Sequence, residues 1–325
     1  MSSEEEEENE RDWAELTQEC LVNVLTRLPI EERWRGPMLV CKAWLAASKD
    51  PSLFAVFDLE PHFESAPEST HWWSPEFERK VDSMVRSVVD WGGPSVREIR
   101  VRHCSDRSLA LVAERVWIDS NQALLDQILA LVAKRCPNLQ ALSIKSCPNV
   151  TDSMIGKIAL GCPMISELDI SYCYEVSHAS LELAGRNCPH LKILKRNLMN
   201  WLDPSQHIGI VPDEYLNRCP QDGDSDCYII GKFMPNLEHL EVRFSKLSAR
   251  GLVSISEVCI KLQYLDLFGC ANLTGRDMEN ALANLKNLKK LVKPNFYIPR
   301  SVFHTERYGH WRLYDERFQT SVFQI

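Results

Sequence analysis

No apolar run in this 325-residue chain approaches the roughly 18 residues that a membrane-crossing helix needs. No secretory leader is expected either, because Met1-Ser2-Ser3 runs straight into five glutamates, Glu4 to Glu8, the opposite of a basic and then apolar signal. An intracellular chain with no membrane partner is the expectation, nuclear or cytosolic, with the nucleus slightly favoured. Nor is there an excess of basic charge: Lys and Arg number 37 against 45 Asp and Glu. The first twelve residues hold seven acids and one base, so most of the net charge of −8 sits in the tail and the remainder is nearly neutral. Such a chain is not built to bind nucleic acid or anionic membrane. The acidic stretch, residues 1–11, is expected to be a solvated, disordered tail. Catalytic signatures are absent as well. There is no P-loop, no H-E-x-x-H and no nucleophile beside a general base, and His304 and His310 are too far apart to share one helical face as a zinc pair. A non-enzyme without cofactor or metal is expected.

Cysteine, by contrast, is plentiful. Twelve cysteines without a leader imply reduced thiols rather than a disulfide framework. Cys147 and Cys173 are 26 residues apart, as are Cys162 and Cys188, which points to an internal repeat. Leu139, Leu142, Ile144 and Cys147 fit L-x-x-L-x-L-x-x-C, and Ile165, Leu168, Ile170 and Cys173 fit it again. Leu191 and Leu194 begin a further unit. Leu237, Leu240 and Val242, then Leu262, Leu265, Leu267 and Cys270, then Leu288 and Leu291 continue the register, while Val96, Ile99, Val101 and Cys104 precede it. Each unit predicts a short strand with alternate residues turned inward, followed by a turn and a returning helix. Thr151, Ser177 and Thr274 stand where helix N-caps are needed. One unit cannot bury its own apolar face, so the units must stack into a curved solenoid. The pattern resembles the cysteine-containing leucine-rich repeats, over residues 76–293, with a C-terminal cap or tail at 294–325. In that reading the ninth-position cysteines are small buried packing residues. Cys219 and Cys227 fall outside the register, and no neighbouring ligand pair completes a zinc site around them.

Two units are irregular. Ser108–Arg115 nearly recurs at Ile128–Arg135, so Val116–Arg135 reads either as a local duplication, a splice variant or a retained non-coding segment, or as a second amphipathic helix stacked beside the first. Residues 197–236 form the second excess, rich in Pro and Asp. Its Asp222-Gly223-Asp224-Ser225-Asp226 hints at calcium, but Cys227 and Phe233 occupy the positions where an EF-hand needs Gly and Glu. A solvated loop that could contact a partner is expected there.

The N-terminal segment is built differently. Leu16, Cys20, Leu21, Val24, Leu25 and Leu28 share one helical face that Pro29 terminates. A short element over residues 31–36 follows, and then a helix carrying Met38, Val40, Cys41, Trp44 and Leu45. Three small helices make a poor independent core, so one face should be buried on something else. Leu16, Glu19, Leu21, Val24, Leu25, Leu28-Pro29, then Val40-Cys41-Lys42-Ala43-Trp44 and Asp50-Pro51-Ser52-Leu53, resemble the F-box over residues 12–57. Leu16-Thr17 stands where many F-boxes have Leu-Pro, and Thr is itself a good N-cap. Residues 58–75 read as a linker. The whole chain resembles the plant F-box/leucine-rich-repeat proteins known as Skp-interacting partners, including the tail from Phe296 to His304. The fold class expected is α/β, a three-helix F-box followed by a curved strand–helix solenoid.

This resemblance implies a substrate receptor of an SCF-type (Skp–cullin–F-box) ubiquitin ligase. Leu16, Cys20, Leu21, Val24, Leu25, Leu28, Pro29, Val40, Cys41 and Trp44 would contact a Skp-type adaptor, which connects to cullin and a RING subunit. The repeats would capture an unidentified protein substrate for degradation. Strand residues that alternate with the buried leucines point into the concave face, which makes Arg100, Arg102, Lys145, Asp169, Lys195, His239, Arg243, Tyr264, Asp266 and Phe268 the candidate substrate contacts. Their mixed signs rule out a continuous phosphate track and suit a protein ligand, with Tyr264 and Phe268 as anchors. A small-molecule receptor and a repeat scaffold without ubiquitin transfer are the alternative readings.

Overall fold

The computed structural model describes residues 15–105 and 135–294. Eight parallel strands form one sheet in strict chain order: β1 (Val56–Asp58), β2 (Glu98–Arg102), β3 (Ala141–Lys145), β4 (Glu167–Asp169), β5 (Ile193–Lys195), β6 (His239–Glu241), β7 (Tyr264–Asp266) and β8 (Lys290–Val292). Most strands are three residues long, too short to persist alone, so their order comes from lateral pairing. The register aligns Phe57, Ile99, Leu142, Leu168, Leu194, Leu240, Leu265 and Leu291 in one row across the sheet. That row is the second apolar position of the sequence motif, and all but its terminal Leu291 are buried. The helices α6 (Asp152–Gly161), α7 (His178–Asn187), α9 (Asp224–Phe233), α10 (Ala249–Val258) and α11 (Gly275–Leu282) pack side by side, each against the next. A short helix, α8 (Asp213–Asn217), lies between α7 and α9 in the chain. Gly231 allows the α9–α10 approach, since a Cβ there would lie 2.4 Å from the carbonyl oxygen of Ser254.

Polar side chains lock successive units together. The Asp152 carboxylate accepts from the backbone N–H of Ser177 (2.7 Å) and from the hydroxyls of Ser177 and Ser180. Asp224 does the same for Ser248 at 2.7 Å and 2.6 Å, and Asp82 for Ser105 at 2.9 Å and 2.5 Å. In the first two of these clasps an aspartate in the first turn of one helix fixes the N-cap of the next, so orphan donors are satisfied across the repeat boundary. Ser177 and Ser248 in turn cap their own helices, and Thr274 closes a capping box with Asp277. Thr151 occupies its N-cap without a side-chain bond to the helix backbone.

Two expectations need correction. The first is the linker at 58–75. Phe57 already belongs to the sheet, and the following stretch folds into α4 (Glu60–Ser65) and a turn at Thr70–Trp73 that bury Phe63 and Trp72. The N-terminal helices α1 (Gln18–Thr26), α2 (Ile30–Arg35) and α3 (Lys42–Ala47) join the same apolar core as the repeats. Phe54, Phe57, Trp34 and Trp91 of α5 (Pro75–Gly92) form the seam, with ring centroids 5.5–6.4 Å apart. Arg33 stitches it from within, donating to the carbonyls of Leu28 (3.1 Å) and Leu53 (2.7 Å).

The second correction concerns residues 197–236. Asp222–Asp226 is not a solvated loop, because α9 begins at Asp224 and supplies the clasp to Ser248. Asp226 is paired with Arg196 at 3.3 Å. Arg196 occupies the position that Ile144, Ile170, Val242 and Leu267 fill in other units, and only 2% of it is exposed. It is tolerated there because its guanidinium also donates to the carbonyls of Ile170, Cys173 and Val176. Most of the duplicated stretch Val116–Arg135 and all of the tail from Asn295 lie outside the described residues.

The clasp reading of Asp224 predicts that Asp224→Ala lowers unfolding free energy by about 1–3 kcal/mol, through loss of two hydrogen bonds from one acceptor. Urea unfolding measures it. Added calcium should leave the wild-type melting temperature unchanged; a calcium-dependent rise would restore the calcium-loop reading.

Candidate functional site

The N-terminal unit separates into sealed and open side chains. Leu21 and Leu25 are 1% and 0% exposed, so as proposed adaptor contacts they act only by shaping the helix from inside. Leu16, Leu28, Cys41 and Trp44 are half-buried, and Cys20 and Pro29 are exposed. Val24 and Val40 are exposed apolar residues, and Leu39, which sequence reasoning passed over, is 82% exposed. Leu39 ends a 3-10 turn, Pro37–Leu39, packed against α2 and α3. Thr17 caps α1 by accepting from the N–H of Cys20.

The concave sheet face carries the predicted charged residues, and they are bonded to one another. Arg100 makes a bidentate pair with Glu167 at 2.7 and 2.8 Å, reaching over the small Ala141 and Ser143 of the intervening strand. Glu60 receives Arg102 and Lys145, each at 2.9 Å, and Lys145 also approaches Asp169 at 3.6 Å. Burial would raise the Glu60 carboxyl, but these two cations hold it below its ordinary range. Glu241 takes His239 (2.8 Å), Asn197 (3.1 Å) and Lys195 (3.5 Å). Asp266 takes Arg243 at 2.7 Å, the Tyr264 hydroxyl at 3.2 Å and the Phe268 N–H at 3.0 Å. Asp169 and Asp266 are 2% and 0% exposed, which corrects their reading as substrate contacts: they anchor the cations above them. Tyr264 lies flat on His239, with ring centroids 4.1 Å apart, beneath the ammonium of Lys290.

A cleft opens beside this face, at the C-terminal ends of the strands. After five of the strands the chain turns through a left-handed residue: His103, Ser146, Tyr172, Phe244 and Gly269. Such backbone disfavours side chains, so at the four non-glycine positions it persists only because the surroundings impose it. His103 is sealed among Phe63, Trp72, Trp73 and Phe77 and is held neutral by burial, with its pKa pushed down to about 3. The 197–236 excess folds over the neighbouring turns as a second small core of Tyr174, Leu198, Met199, Val211, Tyr215 and Cys219. Tyr174 stacks on Tyr215 at 4.7 Å, and its hydroxyl oxygen accepts from the N–H of Met199. The Trp201 indole donates to the Phe244 carbonyl. Between this cover and the α4 segment lies a cavity of about 560 Å³, lined by Arg102, Tyr172, Phe244 and Phe268 with Glu68, Asp203 and His207. Of the predicted contacts only Arg102 and Phe268 reach it. The length of the insertion was the available signal for the rest.

The cysteine pair left open by the sequence is split between cores: Cys227 is in the main one and Cys219 in the second, both thiols raised by burial. No group of three or more His, Cys, Asp or Glu is placed to hold a metal among the described residues.

The ion-pair ladder predicts an acid-sensitive fold. Burial raises the Glu241 carboxyl, yet its hydrogen bonds to His239 and Asn197 and the charge of Lys195 outweigh this and hold it at about 2. A depressed carboxylate contributes stability that is complete above the unfolded-state value and is lost as pH falls through the folded one. Glu241→Gln should therefore flatten stability between about pH 5 and 2, removing on the order of 2 kcal/mol of the wild-type slope. Urea midpoints measured across that window check it.

A scan against protein-family models finds no match. The chain is 55% identical to F-box protein SKIP1 of Arabidopsis thaliana, over 98% of this chain and all of that protein. It is 53% identical to a putative F-box/LRR-repeat protein 19 of the same plant, over 93% of each. Among solved structures, a chain of the yeast Rad7–Elc1 complex aligns over 67% of this chain and 69% of its own length at 12% identity, and its TM-score of 0.29 carries no argument. With near-complete coverage at more than half identity, this chain belongs to the plant F-box/leucine-rich-repeat proteins.

Proposed function

We propose that the chain is the substrate receptor of an SCF-type ubiquitin ligase, working in the nucleus or cytosol. Residues 12–57 dock on a Skp-type adaptor, which connects through cullin to a RING subunit, and the repeats hold a protein substrate that is then ubiquitinated and degraded. The receptor itself carries out no chemistry. It raises the effective concentration of substrate lysines near a charged ubiquitin-conjugating enzyme, a proximity effect. The observation that carries this reading is the join between the two parts. The helical unit presents Val24, Leu39 and Val40 uncovered, yet shares one continuous core with the repeat sheet. An apolar surface left open at one end of a rigid body suits a partner, and the rigidity fixes the distance from that partner to whatever the sheet binds. No helix among the described residues is long and apolar enough to cross a membrane.

Co-purification with a Skp-type adaptor tests the proposal. Leu39→Asp with Val40→Asp should cut recovered adaptor at least about tenfold while leaving the melting temperature near wild type, because both side chains are solvent-facing. Leu28→Ala is the less informative change, since Leu28 also packs against the core. Wild-type adaptor recovery by the double aspartate variant would sink the assignment of this surface.

A further inference from the structure

Most charges on the concave side are matched within the sheet, but two carboxylates in the cleft are not. Glu68 and Asp203 both line it, and neither forms an ion pair among the described residues, whereas the cleft's Arg102 is already joined to Glu60. Asp203 is 6% exposed, and its Oδ1 accepts from the backbone N–H and hydroxyl of Ser205. Beside them His207 buries both ring nitrogens without a partner among the described residues. Burial keeps this ring neutral against the pull of Glu68 and Asp203, which leaves one nitrogen as an unused acceptor. The other walls include Phe63, Trp72, Tyr172, Phe244 and Phe268.

Unmatched acceptors in an aromatic cleft disfavour an acidic or phosphorylated ligand, which would add like charge in a partly desolvated place. They suit a cation with a flat face. Arginine meets both conditions, because its guanidinium presents five donors and stacks on aromatic rings. A cavity of about 560 Å³ has room for such a side chain and one apolar neighbour.

We propose that this cleft is a recognition pocket for a peptide segment of the substrate that presents arginine beside an aliphatic or aromatic residue. The guanidinium is received by Glu68, Asp203 and His207, and the apolar neighbour lies against Phe244 and Phe268. This inference rests on the receptor reading above and names the class of substrate.

The test is a random-heptapeptide display selection on the full chain, immobilised by a terminal tag. Fluorescence anisotropy of a recovered arginine peptide then compares wild type with variants. Selected peptides should be enriched in arginine next to an apolar residue, and replacing that arginine with citrulline, its neutral isostere, should abolish binding. Glu68→Gln should weaken binding about tenfold, and Glu68→Gln with Asp203→Asn more. Asp203 also orders its own turn, so the exposed Glu68 is the deciding position, with melting temperature recorded for each variant. Selection of acidic peptides, absence of an arginine preference, or arginine binding indifferent to Glu68→Gln would each overturn the proposal. Adaptor binding is measured on the same protein. A chain that binds adaptor but shows no arginine preference loses the pocket and keeps the receptor role, whereas a chain that binds no adaptor loses the receptor role itself.

Discussion

The row from Phe57 through Leu142 and Leu194 to Leu291 is the constraint on which the rest of the molecule depends. A three-residue strand has too few hydrogen bonds and too little apolar surface to hold its own shape, so each unit is ordered only by its neighbours. The parallel register brings every member of the row directly beside the next, and the clasps from Asp82, Asp152 and Asp224 keep the helical side in step. Order is therefore transmitted along the stack. The N-terminal helices take part because Phe57 is both the end of their segment and the first member of the row. They pack on one another, and Phe54 and Trp91 complete their small core from the repeat side.

The same register explains why the concave face is electrically quiet. Side chains on neighbouring strands, and on strands one further along, lie within reach of each other. So Arg100 finds Glu167, Lys145 finds Asp169 and Arg243 finds Asp266, while Glu60 reaches in from α4 to take Lys145 as well. A ligand charge arriving here must compete with an intramolecular partner already in place and gains little from the exchange. Mixed signs in the sequence thus describe internal pairing before they describe a partner. The cleft's unmatched charges sit where the repeat pattern is interrupted, Glu68 before the first full unit and Asp203 within the insertion.

What was legible follows from the same physics. Alternating leucines at fixed spacing have one solution, the stacked strand, and Ser or Thr ahead of a helical run has few uses other than an N-cap. That residues alternating with the buried leucines share the opposite face follows from a strand's period of two. Their mutual pairing was not legible, since it depends on which residues meet between elements 23 to 85 positions apart in sequence. Burial of Asp169 and Asp266 was hidden for the same reason. The aspartates of 222–226 suggested solvent because acidic, Gly-containing stretches usually are solvated, yet Asp224 answers to Ser248 and Asp226 to Arg196, both distant in sequence.

Arg196 shows how an interruption becomes a site. The strands β3, β4, β6 and β7 hold or are followed by an aliphatic side chain at this position, and each leads through a short turn into its returning helix. The guanidinium instead occupies the carbonyls of Ile170, Cys173 and Val176, and its remaining bond reaches Asp226 at the start of the delayed helix. The two ends of the insertion are thereby tied together across 30 residues. Closing a loop of that length at its base removes much of the freedom that would otherwise oppose an ordered cover. The cover can then pack Tyr215 on Tyr174 and set Met199, Asp203 and His207 over the strand ends. A buried arginine bonded to three carbonyls and a carboxylate thus stands where the uniform edge of turns gives way to a walled cleft, and the register runs through unbroken, with Leu194 still paired to Leu240.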